Sequence, residues 1–205
     1  MSSEVLVVDF WANGFGMRVR IALEEKGIEY KYMEEDLRTP ERSSLVQEMN
    51  PVYKSVPVLI HGGRPICDSL VILQYIDEAW KVGPTLLPQD PHQRAHARFW
   101  SDLINKKVFS SQTKFLKSKG EDKEAAKQEL IEDLKLLEAA LGDEPYFGGE
   151  YFGFLDSGQG VLIVDLYVVL FGPVVSVGLK GRFRLERGSK TLERWSSISG
   201  LLKRG

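Results

Sequence analysis

Apolar and polar positions follow a strand, helix and strand order at the start of the chain. Residues 5–10 are a short valine-rich run, which is typical of a strand. A helical stripe of apolar residues then begins at Phe15 and ends at Gly27, a favourable residue for a helix stop. Residues 28–34 alternate loosely and predict a second strand. This order predicts a βαβ unit with a parallel strand pair.

The next segment predicts a second half of the same domain. Residues 39–50 are read as a short polar helix or a loop, and both readings stay open. Residues 58–67 contain a turn at Gly62 and predict a β-hairpin. Ser69 is the expected cap of an apolar helix that follows. The first domain is therefore predicted as an α/β domain of order βαββα.

The rest of the chain has a helical pattern. Residues 81–91 are rich in proline and glycine and predict a linker, which places a first domain at residues 1–80 and a helical domain at residues 92–205. Residues 92–118 predict one long helix. Residues 122–141 carry apolar residues at spacings of three and four, which predicts an amphipathic helix with a solvated opposite face.

Composition narrows the class of protein. A formal net charge of −2 gives no overall field for nucleic acid or anionic membrane. Cys67 is the sole cysteine, so we expect no intrachain disulfide, no thiolate metal cluster and a reducing, cytoplasmic location. We expect no secretory signal. The apolar run at residues 161–177 is read as a buried core helix, with a membrane-related role as the alternative.

Several motifs occur in one order and resemble the tau class of plant glutathione transferases. They are residues 9–23 (DFWANGFGMRVRIAL), 50–61 (NPVYKSVPVLIH), 65–70 (PICDSL), 93–100 (QRAHARFW) and 146–149 (YFGG). The resemblance extends to Asp156, and residues 157–205 diverge from the family pattern, with glycines followed by many basic residues. It implies a thioredoxin-like first domain, an all-helical second domain, a homodimer, and detoxification and stress-response functions in a plant.

The implied reaction is addition of the glutathione thiolate to apolar electrophiles. A free thiol has a pKa of about 8.5, so a donor and a helix N-terminus that stabilise the thiolate would be needed. The resemblance places that donor at Asn13, where the family usually has serine. A role of Asn13 as a helix cap alone is equally open. Activity is therefore expected to be weak.

The resemblance also implies a set of glutathione-binding residues. They are Arg42, Ser55, Val56, Pro57, Asp68 and Ser69. Pro57 corresponds to a cis-proline of the family, and Asp68 with Ser69 would hold the γ-glutamyl end. Arg42 would face the glycine carboxylate, or would be a solvated loop charge. Ser55 stands where a lysine is common, and Lys54 is a substitute for it.

The electrophile pocket is expected between the domains. Its candidate residues are Trp11, Phe15, Trp100, Lys107 and Ser111, each of which could instead be a core or surface residue. No metal is expected, and glutathione is the expected co-substrate. The alternatives to an enzyme of this class are a non-catalytic carrier of glutathione or apolar ligands and a thiol-exchange enzyme. Asn13 argues against thiol exchange, which needs cysteine there. No nucleic-acid or membrane partner is expected, although the basic tail leaves a nucleic-acid patch as a weaker reading.

Overall fold

The computed structural model describes residues 4–11 and 13–157. The expectations for the apolar run at residues 161–177 and for the basic tail lie outside the described residues. The predicted domain boundary at residues 80–92 stays a prediction. Among the helices that the structure describes, none combines the length and apolar character needed to cross a membrane.

A four-stranded mixed sheet forms the centre of the first half of the chain. Its strands are β1 (Val5–Asp9), β2 (Lys31–Glu34), β3 (Val58–His61) and β4 (Arg64–Cys67), in the spatial order β2-β1-β3-β4. β2 is parallel to β1, whereas β3 is antiparallel to β1 and β4 is antiparallel to β3. The predicted parallel pair and hairpin are both confirmed.

Three helices flank this sheet. They are α1 (Gly14–Glu25), α2 (Ser44–Met49) and α3 (Ser69–Ala79). The short helix α2 decides the alternative left open for residues 39–50, so the observed order is βαβαββα. The cap of α3 corrects the sequence expectation: Asp68, not Ser69, is the N-cap, because its side chain accepts from the backbone N–H groups of Leu70 and Val71.

The alternation along the strands separates two apolar layers. Val7 and Leu59 point into a core with α1 and α3, whereas Val8 and Val58 point into a smaller core with α2. Successive side chains of a strand lie on opposite faces, so neighbouring valines enter different cores. Both faces of the sheet are thus covered at its centre, which explains why the two central strands, β1 and β3, are almost continuously apolar.

Residues 91–117 and 120–141 are helical. The predicted long helix at residues 92–118 is confirmed in extent, and a π-helical turn (Ile104–Val108) divides it into α4 (Pro91–Leu103) and α5 (Phe109–Lys117). The helix α6 (Gly120–Leu141) packs on them through Ala126, Leu130 and Leu137. The predicted apolar stripe of this last helix is confirmed.

The segment between α3 and α4 is tied to both halves of the described chain. Lys26 Nζ lies 3.0 Å from Asp77 Oδ1, and the Asp77 carboxylate accepts from the backbone N–H groups of Leu86 and Leu87. The backbone N–H of Phe154 donates to the Leu86 carbonyl over 2.8 Å. Leu86, Leu87 and Phe154 are buried in the core that also contains Val7.

Candidate functional site

The turn from β1 to α1 carries Asn13, the predicted catalytic residue. Asn13 is the N-cap of α1, since its Oδ1 accepts from the Phe15 backbone N–H at 3.2 Å. Its Nδ2 donates to Asp9 Oδ1 at 2.7 Å. The amide therefore links the end of β1 to the first turn of α1. The cap role considered in the sequence analysis is therefore present. Asn13 Nδ2 carries two hydrogens, and the bond to Asp9 uses one of them.

Asp9 is a buried acid beneath this helix end. Its side chain is fully buried, and its carboxylate lies so close to Gly16 that a Cβ there would fall within 2.2 Å of Oδ1. Burial raises the pKa of Asp9 to about 6, although the hydrogen bond from Asn13 and the charge of Arg20 act in the opposite direction. Sequence analysis did not single out Asp9, because a polar residue at a strand end is common.

Residues directly before β3 and directly after β4 form the second part of the candidate site. The Val56–Pro57 peptide bond is cis, as the resemblance implies. Asp68 is exposed and has a φ of 71°, a region in which residues other than glycine are uncommon. Ser69 is buried at the start of α3, and its Oγ accepts from Arg18 Nη1 at 3.3 Å.

Arg18 is a buried cation that sequence analysis missed. Its guanidinium donates from Nη1 to Asn105 Oδ1 at 2.6 Å as well as to Ser69, and it lies over the Phe15 ring. Burial lowers the pKa of Arg18 to about 10, and the charge of Asp68 opposes that shift. The available signal was its position four residues before Ala22 on the apolar stripe of α1.

The predicted cationic contacts for the glycine carboxylate lie on loops. Arg42 Nη1 donates to the carbonyl of Thr39 at 2.8 Å and weakly to that of Asp36, so the guanidinium folds back on its own loop. Ser55 and Lys54 are exposed, and the Ser55 carbonyl accepts from Asn50 Nδ2. Among the described residues, Arg42 makes no hydrogen bond or ion pair with Asp68 or Ser69, so its role in binding the glycine carboxylate stays a prediction.

The predicted electrophile-pocket residues divide into two groups. Phe15 contacts Phe109 with ring centroids 4.7 Å apart, so the start of α1 meets the start of α5. By contrast, Trp100 packs against the core of the helical region, Lys107 pairs with Asp133 at 2.8 Å, and Ser111 Oγ donates to the Val108 carbonyl. Trp11 is 49 % exposed. Phe109 is therefore an aromatic partner of Phe15 that sequence analysis missed.

The spacing of the two contact residues accounts for that partner. Asn105 within the π-helical turn reaches Arg18, and Phe109 directly after the turn reaches Phe15. These residues are four positions apart, a spacing that places them on one face of the helix, and this face meets α1. Sequence analysis missed Phe109 because no local pattern indicates which element that face contacts.

Comparison with known proteins decides the family. The glutathione S-transferase N-terminal domain family matches residues 3–78. Glutathione S-transferase U22 of Arabidopsis thaliana is 54 % identical over 156 residues, which is 76 % of this chain and 71 % of that protein. The chain belongs to the glutathione S-transferase family.

Two solved structures place this transferase within the family. The tau-class enzyme of mango (Mangifera indica) is 40 % identical, with a TM-score of 0.76 over 82 % of this chain and 78 % of that one. Rice GST1, solved in complex with glutathione, is 38 % identical, with a TM-score of 0.76 over 96 % and 88 %. The predictions of a tau-class member and of an enzyme of the glutathione transferase type are thereby confirmed, as is the fold class.

The described residues offer little support for metal-dependent chemistry or for a nucleophilic cysteine in this transferase. Within residues 4–11 and 13–157, no three His, Cys, Asp or Glu side chains are grouped to hold a metal ion. Cys67 Sγ points at the Met49 carbonyl, and burial together with the Asp68 charge raises the pKa of its thiol. Cys67 is therefore a poor nucleophile at neutral pH.

Proposed function

We propose that this transferase adds the thiolate of glutathione to apolar electrophiles at the start of α1. The observation that carries the proposal is the Asn13 cap at the N-terminus of a 12-residue helix, in a chain of this family. A helix N-terminus presents backbone N–H groups and a partial positive charge to an anion. The sulfur is therefore proposed to lie beside Asn13 and the first turn of α1.

The energy required is small. A hydrogen bond to a charged acceptor contributes about 1.5–3 kcal/mol, which corresponds to about one to two units of pKa. The thiol pKa, about 8.5 in free solution, would then approach neutrality. An amide N–H is a weaker donor to a thiolate than the hydroxyl of serine. For this reason we propose that turnover is low compared with a serine-type relative.

The rest of glutathione is proposed to lie along the loops at the ends of β3 and β4. The Val56 backbone, next to the cis bond to Pro57, is proposed to pair with the extended peptide as a strand edge does. Asp68 would receive the γ-glutamyl ammonium, and the Ser69 end of α3 would receive its carboxylate. Arg42 and Lys54 are the proposed cations for the glycine carboxylate, with Ser55 beside them.

The electrophile is proposed to lie against Phe15 and Phe109. Aromatic pairs of this kind favour flat apolar ligands, because ring contacts add to the gain from burying apolar area. Trp11, Trp100, Lys107 and Ser111 stay predicted pocket residues of lower priority. Apolar electrophiles of this type are toxic to cells, so the proposed physiological role is detoxification in the plant stress response, in the cytoplasm.

A homodimer is the proposed assembly. Apolar side chains of the α2–β3 loop, α3 and α4 are exposed to solvent, namely Val52, Tyr53, Val71 and Phe99. Exposed apolar residues grouped on one protein indicate an interaction surface. We therefore propose that a second copy of this chain covers them. We also propose that each chain consists of a first domain at residues 1–80, a linker at residues 81–91 and a helical domain at residues 92–205.

The experiment is a turnover assay with glutathione and an aryl halide, combined with ultraviolet titration of the bound thiolate. The wild-type chain should show glutathione-dependent turnover and a thiol pKa below that of free glutathione. Asn13→Ala should raise that pKa and leave glutathione affinity nearly unchanged. Tight glutathione binding without turnover or a thiolate signal would instead support the carrier, the alternative function.

A further inference from the structure

Three charged side chains contact the β1–α1 turn. Asp9 receives the Asn13 amide, Arg20 Nη2 donates to the Trp11 carbonyl at 2.9 Å, and Glu34 Oε1 accepts from the Trp11 backbone N–H at 3.1 Å. The backbone at Trp11 and the side chain of Asn13 are thereby held by residues of β1, α1 and β2.

The buried end of this group is Asp9. Its Oδ2 lies 3.9 Å from Arg20 Nε, and within the described ranges neither of these buried atoms has a hydrogen-bond partner. The Tyr32 hydroxyl of β2 donates to Glu34 Oε2 at 2.6 Å and lies 3.1 Å from the Asp9 carbonyl oxygen. The titratable and charged groups that face Asp9 are therefore Arg20 from α1 and Glu34 and Tyr32 from β2.

Keeping a charge at Asp9 opposes folding at neutral pH. A carboxylate with an unpaired oxygen in a buried position is costly, as the raised pKa of about 6 reflects. A core position beside α1 would be more stable with an apolar residue of similar volume. Residues that break a local rule of stability in this way are expected at functional sites.

We propose that Asp9 is a positioning residue of the transferase reaction, which orients the Asn13 amide and so sets the donor that the glutathione sulfur meets. With Nδ2 held by Asp9 and Oδ1 held by the Phe15 N–H, the amide plane is fixed at both ends. The direction of the second N–H bond of Asn13 Nδ2 is then fixed as well. The inference rests on the proposed function of Asn13, and it extends it to a residue that touches no substrate.

The test compares two substitutions at Asp9. Asp9→Asn keeps an oxygen that accepts from Asn13, whereas Asp9→Leu removes the acceptor. A misplaced catalytic group costs roughly 10- to 100-fold in rate, so Asp9→Leu should lower kcat by that factor with KM for glutathione nearly unchanged. Asp9→Asn should recover most of kcat. Asp77→Asn is the matched control, because it removes another largely buried acid on α3 and should leave kcat unchanged.

A second readout does not depend on activity. The Asn13 side-chain amide signal in a ¹⁵N spectrum, identified by its loss in Asn13→Ser, should shift as the pH passes through the Asp9 pKa. That shift should be absent in Asp9→Asn. An Asn13 signal that ignores pH in the wild-type chain, or equal kcat for Asp9→Leu and the wild type, would overturn the positioning role.

The two proposals fail in different ways. If the wild-type chain binds no glutathione while the Asn13 signal still follows Asp9, the proposed function fails and the physical link between the residues stands. If turnover is normal and Asp9→Leu has no effect on kcat, the function stands and this inference fails. A fall in kcat for Asp9→Leu that Asp9→Asn and Asp77→Asn share equally would indicate a loss of stability and would also overturn it.

Discussion

Arg18 Nη1 and Asn105 Oδ1 are joined by a 2.6 Å hydrogen bond, which connects α1 to the π-helical turn. Asn105 is uncharged and does not neutralise the buried Arg18 guanidinium. Its hydrogen bond and the one to Ser69 instead replace hydrogen bonds that Arg18 would make with water. The same guanidinium lies over Phe15. One buried cation therefore contacts the proposed glutathione end and the proposed electrophile wall.

Asn105→Leu should destabilise the fold, because it removes an acceptor from a buried charged donor. A hydrogen bond to a charged group contributes about 1.5–3 kcal/mol, so the free energy of unfolding should fall by about 2 kcal/mol in urea titrations. Lys106→Ala on the same turn is the control. It removes only an exposed pair with Asp102 and should cost less than about 1 kcal/mol. Equal losses in the two variants would contradict this reading.

The raised pKa of Asp9 predicts how stability depends on pH. The group titrates at about 3.8 when unfolded and at about 6 when folded, so the folded state binds more protons between these values. The free energy of unfolding should therefore fall as pH rises from 3.8 to 6, by about 3 kcal/mol, and this contribution should be constant above that range.

Urea titrations of the wild type and Asp9→Asn at several pH values measure this dependence. The variant lacks the titrating group, so the difference between the two curves should grow in favour of the variant as pH rises. Parallel curves would mean that Asp9 is not the responsible acid.

Asn13→Ser tests whether the amide limits the rate. A hydroxyl is smaller and is a stronger donor to a thiolate, so we expect kcat to rise severalfold while KM for glutathione changes little. Asn13→Ala, which keeps neither donor, supplies the lower reference. An unchanged kcat in Asn13→Ser would contradict the prediction, and an unchanged kcat in Asn13→Ala would show that backbone N–H groups of α1 stabilise the sulfur without the side chain.

Phe109→Ala should affect the electrophile and leave glutathione in place. Removing the partner of Phe15 should raise KM for an aryl halide by roughly tenfold, since an aromatic pair adds about 0.5–1.5 kcal/mol beyond its buried area. The dissociation constant of glutathione should stay nearly constant. Leu116→Ala, at an exposed position of the same helix, is the control, and a similar rise in KM there would contradict the assignment.

Periodic segments were predictable because each buries one apolar face. The strands β1 and β3 and the helices α1, α3 and α6 follow from such patterns, and the family motifs pointed to Pro57 and Asp68. The cap of α3 was misassigned because Asp68 and Ser69 are both good cap residues in adjacent positions. The structure distinguishes them, since the Asp68 side chain accepts from the first free N–H groups of the helix.

The missed parts of the site depend on contacts that no local pattern contains. The Asp9–Asn13 bond crosses a junction between a strand and a helix, where neither the period of 2 nor that of 3.6 applies. The π-helical turn leaves the apolar stripe of residues 92–118 nearly intact, so periodicity did not reveal it. Arg18 was overlooked because arginine is rarely fully buried unless a partner distant in sequence receives it.

The ion pair of Lys26 and Asp77 has a consequence for how the chain comes apart. Its carboxylate also receives the Leu86 and Leu87 amides, and the Leu86 carbonyl receives Phe154 from beyond α6. A truncated chain that stops after α3 would expose that carboxylate and the part of the apolar core that Leu86, Leu87 and Phe154 cover. We therefore expect that residues 1–80 do not fold stably alone, and that thermal unfolding proceeds as one cooperative transition shared with the helices.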